Sequence, residues 1–204
     1  MKPQSSTRTA PARIVGLFVC LTCAALIVAA QTSDSAQTNP ADAVKQLTDR
    51  DPVIRQQGAE ELARAAAPEW RQLVEGFRLQ EKNARVRLAL DWALYRMGKD
   101  EALYAVVRAL DTGRADQAAG YLARLETPAP LYAMLPRVNG NMQARLINVL
   151  GQAGDATTLE QLKPYAASYD PKIAEAARQA EQEITRRLAA QPTDAHTRPR
   201  RIRN

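Results

Sequence analysis

Residues 83–110 read NARVRLALDWALYRMGKDEALYAVVRAL, and two stripes within this stretch decide the fold. Val86, Ala89, Leu90 and Ala93 stand at i, i+3, i+4 and i+7, a spacing that brings four side chains onto one face of a helix. After Gly98, a residue that readily ends a helix, Leu103, Val106, Val107 and Leu110 repeat the spacing. The window therefore predicts two short amphipathic helices joined by a turn.

The same two stripes recur on either side. Ala115, Ala118, Ala119 and Leu122, then Ile173, Ala176, Ala177 and Ala180, match the first; Met142, Leu146, Val149 and Leu150 are a close variant. The second stripe returns as Trp70, Leu73, Val74 and Phe77, as Leu131, Met134, Leu135 and Val138, and less completely as Leu159, Leu162 and Ala166. Anchored at Ile54, Val86, Ala115, Met142 and Ile173, the first helices follow one another at 32, 29, 27 and 31 residues. The second-helix anchors lie 16, 17, 16 and 17 residues further on. Unrelated amphipathic helices would not hold that phase, so the chain carries an internal repeat of about 30 residues.

A helical hairpin of this size cannot enclose its own apolar face and must share a core with its neighbours. The expected fold is all-α, an α-solenoid (α-α superhelix) of about four and a half helical hairpins over residues 40–190. Start signals support it. Asn39-Pro40, Asp51-Pro52 and Asp170-Pro171 each place a capping side chain before a proline suited to the first helical position, and Asp100 is a further expected cap. Gly98 and Gly154 are expected stops. Pro136 and Pro164 each fall five residues after a second-helix anchor, where matching kinks are expected. Gln57 and Glu61 in the first hairpin, and the charged face of the last helix, with Glu175, Arg178, Glu181, Glu183, Arg186 and Arg187, read as solvent-facing ends.

Certain phrases within these repeats resemble HEAT repeats, particularly the short variety named after phycobilin lyase subunits. They are Asp51-Pro-Val-Ile-Arg55 leading to Ala59-Glu-Glu-Leu-Ala63, Asn83-Ala-Arg-Val-Arg87 leading to Met97-Gly-Lys-Asp-Glu-Ala102, and Leu150-Gly-Gln-Ala-Gly-Asp-Ala156 followed by Leu159-Glu-Gln-Leu162. The resemblance implies that the acidic residue caps the first helix, that the Val-Arg pair starts it, and that the Gly-Asp turn leads to the second. The third repeat departs from the pattern, with Ala115-Asp116 for Val-Arg and Thr127-Pro-Ala-Pro130 for the Gly-Asp turn. Such repeats support many kinds of binding, so the resemblance speaks to architecture more than to function.

The chain has 28 Lys and Arg against 22 Asp and Glu, a net charge of +6, but this charge is concentrated at the ends. Lys2, Arg8 and Arg13 precede an apolar run, and Arg198, Arg200, Arg201 and Arg203 close the chain, whereas residues 31–190 carry 21 basic and 21 acidic side chains. A neutral body argues against nucleic-acid binding. Residues 14–30 form an apolar segment behind the basic start, with the layout of a secretory signal peptide ending before Gln31; an uncleaved signal anchor is the alternative. Basic residues upstream and Asp34 and Asp42 downstream orient the N-terminus to the cytoplasm. Both readings export the body to the periplasm or the exterior, as in a periplasmic protein or one anchored to the inner membrane. Residues 31–39 then form a linker, and 191–204 a disordered basic tail.

The only histidine is His196, and both cysteines, Cys20 and Cys23, lie in the apolar segment. Residues 31–190 therefore offer no His-based triad, Cys nucleophile, zinc site or disulfide. The acid pairs Glu60-Glu61, Asp100-Glu101 and Glu181 with Glu183 do not converge, because adjacent helical residues point about 100° apart. Glu60 reads as a solvated residue. Neither a catalytic residue nor a cofactor or metal is expected. Trp70 sits on a core stripe; Trp92 lies off it and is open either to core packing or to ligand stacking.

The binding candidates are Arg71, Tyr104, Arg108, Tyr132 and Arg137. Tyr104 and Tyr132 each fall one residue past a second-helix anchor, with Arg71 equivalent in the first repeat and Arg108 and Arg137 further along. Tyr and Arg are over-represented in protein interfaces, although side chains covering the helix seams would follow the same spacing. The expected protein is a monomeric, non-catalytic scaffold that presents a concave face to a protein or peptide partner, with membrane contact only through an N-terminal anchor. Similarity to phycobilin lyase subunits implies an alternative, accessory or lyase-like role, and nucleic-acid binding is a third reading.

Overall fold

The structure is a computed structural model that describes residues 39–190. The apolar segment 14–30, the linker up to residue 38 and the tail 191–204 lie outside the described residues. The described chain is all-helical: α1 (Pro40–Gln46), α2 (Pro52–Ala65), α3 (Arg71–Gln80), α4 (Ala84–Arg96), α5 (Ala102–Arg108), α6 (Ala115–Leu122), α7 (Ala129–Tyr132), α8 (Gly140–Ala153), α9 (Ala156–Ala166) and α10 (Pro171–Ala190). Short 3-10 turns occupy Pro68–Trp70, Ala109–Asp111 and Leu135–Arg137. Among the described residues, no helix is long and apolar enough to cross a membrane.

Five of the ten helices have a side-chain cap at their start, those expected at Asn39, Asp51 and Asp170 among them. Asn39 Oδ1 accepts from the Ala41 amide at 3.0 Å, Asp51 Oδ1 from Val53 at 2.8 Å, Asn83 Oδ1 from Arg85 at 2.9 Å and Asp170 Oδ1 from Lys172 at 2.9 Å. Asp155 and Thr158 cap α9 reciprocally, each backbone amide donating to the other's side chain at 3.0 Å. Asp100 is the exception. The chain leaves α4 through Gly98 at φ 87°, with Gly98 N bonded to Tyr95 O and Lys99 N to Leu94 O, and passes straight into a turn where Ala102 N meets Lys99 O. Backbone groups thus serve the start of α5, and no side chain caps it.

Two other expected signals act differently from their sequence reading. Gly154 does end α8, but in an extended conformation (φ −73°, ψ 164°). Glycine is required there by space, since a Cβ would stand 2.4 Å from Leu150 O and 2.7 Å from Thr158. The two prolines in register also part ways. Pro164 is accommodated inside α9, after two turns of established helix. Pro136, which cannot donate to a carbonyl one turn back, falls where only the four residues of α7 precede it, and the chain changes to a 3-10 turn.

A single hydrophobic cluster runs from Ala43 to Ile184. Along it α2 packs on α4, α4 on α6, α6 on α8 and α8 on α10, while α3, α5 and α9 pack on the α4, α6 and α10 that follow them. The stripes Val86/Ala89/Leu90/Ala93, Leu103/Val106/Val107/Leu110 and Ile173/Ala176/Ala177/Ala180 are all buried. Each fully buried leucine, such as Leu62, Leu90, Leu146 or Leu150, contributes roughly 1.5–3 kcal/mol relative to exposure. The first pair is looser: Ile54, Trp70 and Phe77 are half-buried and Leu73 is exposed, because α3 packs on α4 and its own leading turn and leaves its other flank to solvent.

Polar side chains tie successive helices together across about one repeat. Gln117 of α6 donates to Arg85 O on α4 at 3.0 Å, and Arg145 of α8 donates to Leu110 O. Arg187 of α10 donates to Gly151 O at 2.9 Å and Gly154 O at 2.8 Å. Arg187 is therefore not part of a solvated outer face; its guanidinium satisfies carbonyls at the end of α8, groups that a helix leaves unpaired.

Candidate functional site

An open cleft of about 660 Å³ lies where α3, α4, α5 and the loop after Asp111 meet. On α4 its wall is Ala84, Arg87, Leu88 and Asp91, and on α5 and the turn beyond it Ala105, Arg108, Ala109 and Thr112. Both sets have the spacing i, i+3, i+4, i+7, displaced by two residues, about 200° of helix, from the core stripe of the same helix. Arg78 from α3 and Gly113 and Arg114 from the loop complete the rim.

Four arginines and one carboxylate line the cleft. Asp91 is only 8% exposed and accepts from Arg78 Nε at 2.6 Å, so this pair is internally neutralised and joins α3 to α4. Arg87 and Arg108 are exposed and Arg114 half-buried, and none of the three has an ion-pair or side-chain hydrogen-bond partner among the described residues. The loop bearing Arg114 is held locally: Thr112 Oγ1 donates to Ala109 O at 2.7 Å and accepts from the Arg114 amide at 3.1 Å. The result is a local excess of three positive charges in a body whose charges balance as a whole.

Of the five residues expected to form a binding patch, Arg108 alone lines this cleft. Tyr104, one turn earlier on the same face of α5, is 46% exposed. Arg71, the first residue of α3, and Arg137, in the 3-10 turn after α7, are exposed, and neither shares a hydrogen bond with the other candidates among the described residues. Tyr132 is half-buried, with its hydroxyl 2.6 Å from Thr158 Oγ1 and 3.5 Å from Asp155 Oδ1, and burial raises its phenol pKa. It therefore braces the start of α9. Arg87, Arg78 and Arg114 were not singled out in the sequence because an arginine within a secondary stripe reads as solvated; the repeated small-x-x-Arg-apolar spacing at 84–88 and 105–109 is the signal that marks it.

A second polar cluster joins α2, α4 and α6. Trp92 is buried and stacks on Tyr121, with centroids 5.6 Å apart and planes 3° from parallel, which makes it a core residue. The Tyr121 hydroxyl donates to Glu60 Oε1 at 2.6 Å and accepts from Gln117 Nε2 at 2.8 Å, while Gln56 Nε2 also donates to Glu60 at 2.8 Å. Burial first, and the Glu60 carboxylate second, push the Tyr121 phenol well above its ordinary value. Glu60 is thus an internal acceptor and not a solvated residue, while its neighbour Glu61 turns to Arg64 at 3.8 Å. Among the described residues, no group of three or more His, Cys, Asp or Glu is placed to hold a metal ion.

No family model matches the chain, and no curated protein matches it. Among solved structures, the chain is similar to the crystal structure of an engineered protein, at 20% identity over 72% of this chain and 79% of that one, with a TM-score of 0.32. A likeness of that size carries no argument about fold or function.

Proposed function

We propose that the chain is a HEAT-like α-solenoid that acts as a non-catalytic binding module for a protein or peptide, exported by residues 14–30. The observation that carries this reading is the open cleft of α3, α4 and α5, set on helices whose side chains lace one repeat to the next. A surface preformed in this way loses little conformational freedom on binding, which favours recognition over chemistry. The order α2, α4, α6, α8, α10 along one core supports the repeat arrangement, and the phrases shared with HEAT repeats supply the family reading. The sequence layout before Gln31 supports export.

Affinity capture with the full chain from an envelope fraction tests the binding role. The chain is expected to retain a defined protein that Tyr104→Ala with Arg108→Glu releases; equal capture by both would remove this surface from the reading. N-terminal sequencing of the mature protein tests export. Gln31 is the expected first residue for a cleaved signal, membrane-bound full-length chain indicates the anchor, and soluble full-length chain in the cytoplasm would overturn export.

A further inference from the structure

We propose that the Arg87/Arg108/Arg114 cleft binds an acidic peptide segment of a partner protein, with carboxylates on the arginines and an apolar side chain against Leu88. The proposal rests on the protein-binding reading above and names the chemistry of its partner. Charge complementarity is the first argument. Arg78 already has its carboxylate in Asp91, but the other three guanidinium groups have none among the described residues, and each can pair with a carboxylate through two parallel hydrogen bonds.

The lining is the second argument. Ala84, Ala105, Ala109 and Gly113 are small, which leaves room beside the buried Leu88 for a side chain and a stretch of backbone. A compact phosphate would be better served by backbone amides, and four of those at the neighbouring helix starts are engaged. Arg85 and Val86 donate to Asn83 Oδ1, Arg114 donates to Thr112 Oγ1, and Ala115 to Thr112 O. Nucleic acid would require basic charge continuing beyond the cleft, whereas residues 31–190 are balanced. The chain's own end does not fit, because residues 191–204 carry four arginines against Asp194.

The test is fluorescence anisotropy of the purified full chain with a short labelled peptide rich in Asp, Glu and Leu. Binding is expected, weakening as salt rises. It should fall roughly tenfold for each of Arg87→Glu and Arg108→Glu, with a smaller loss for the alanine variants and none for Arg50→Glu. Circular dichroism melting of each variant confirms the fold. Equal binding by wild type and Arg87→Glu/Arg108→Glu would overturn the cleft as the site. Absence of peptide binding while envelope capture persists would overturn the acidic class and leave the protein-binding reading standing, whereas loss of both would remove both. Tighter, arginine-dependent binding of inorganic phosphate or of duplex DNA would also overturn the proposal in favour of those ligands.

Discussion

Gly151 of α8 lies so close to Ala180 of α10 that a Cβ built on the glycine would stand 2.9 Å from the alanine Cα and 3.0 Å from its Cβ. Two backbones meet where both residues are minimal, and Arg187, about two helical turns further along α10, returns to Gly151 O. Gly151→Leu is expected to force α8 and α10 apart and to cost about 1–3 kcal/mol. Urea unfolding checks this: the midpoint should fall, whereas the same change at exposed Gly120, where an added Cβ meets nothing, should do far less.

Ala66 ends α2 in the left-handed region, at φ 48° and ψ 36°, with its amide bonded to Leu62 O. A Cβ disfavours this conformation by roughly 1–2 kcal/mol. Glycine removes that cost but makes the unfolded chain more flexible, so Ala66→Gly is expected to stabilise by about 0.5–1 kcal/mol net. A rise in the thermal midpoint checks it, and an unchanged or lower midpoint would show that Ala66 is not held in this geometry.

The helix starts were legible because their chemistry is local: a capping side chain two residues before an amide and a proline at the first helical position are adjacent in sequence. The stripes were legible for the same reason, since the period of a helix is written into consecutive residues. What was less legible joined separate repeats. Trp92 meets Tyr121 across 29 positions of chain and Tyr121 meets Glu60 across 61; each stands six residues after its first-helix anchor, so the repeat spacing sets them in register, while the stacking and the hydrogen bond depend on how the helices pack. The cleft was half visible, through Arg108; its other arginines come from α3, α4 and the loop before α6, and only packing makes them neighbours.

Glu81 links α2 to the start of α4. Arg55 donates to it through Nε at 2.7 Å and Nη2 at 3.1 Å, and the Asn83 amide donates at 2.7 Å. The hydrogen bonds from Arg55, followed by that from Asn83, hold the Glu81 carboxyl below the usual carboxylate range against the opposing effect of burial. A depressed folded value means that the stabilisation is complete above the unfolded pKa of about 4.3 and is lost as pH falls through the folded one. Glu81→Gln should cost about 1–2 kcal/mol at neutral pH, allowing for partial solvent screening. In urea titrations the gap between wild type and variant should close below about pH 4.

Tyr121 responds at the opposite end of the pH scale. Its phenol is pushed up by burial and by Glu60, so the fold favours the neutral form. The stabilisation is complete below the unfolded pKa of about 10 and is lost as pH rises above it towards the folded value. Tyr121→Phe keeps the ring that stacks on Trp92 but removes the donor to Glu60, leaving that carboxylate with Gln56; a cost of about 1–2 kcal/mol at neutral pH is expected. Above pH 10 the wild type should lose this advantage, because its unfolded chain ionises at residue 121 and the variant's cannot. Deprotonation of the other tyrosines and of lysine affects both proteins alike, so the difference between their urea midpoints isolates Tyr121. A gap that stays constant from pH 8 to about pH 11 would show that the hydroxyl is not held in a neutral bond to Glu60.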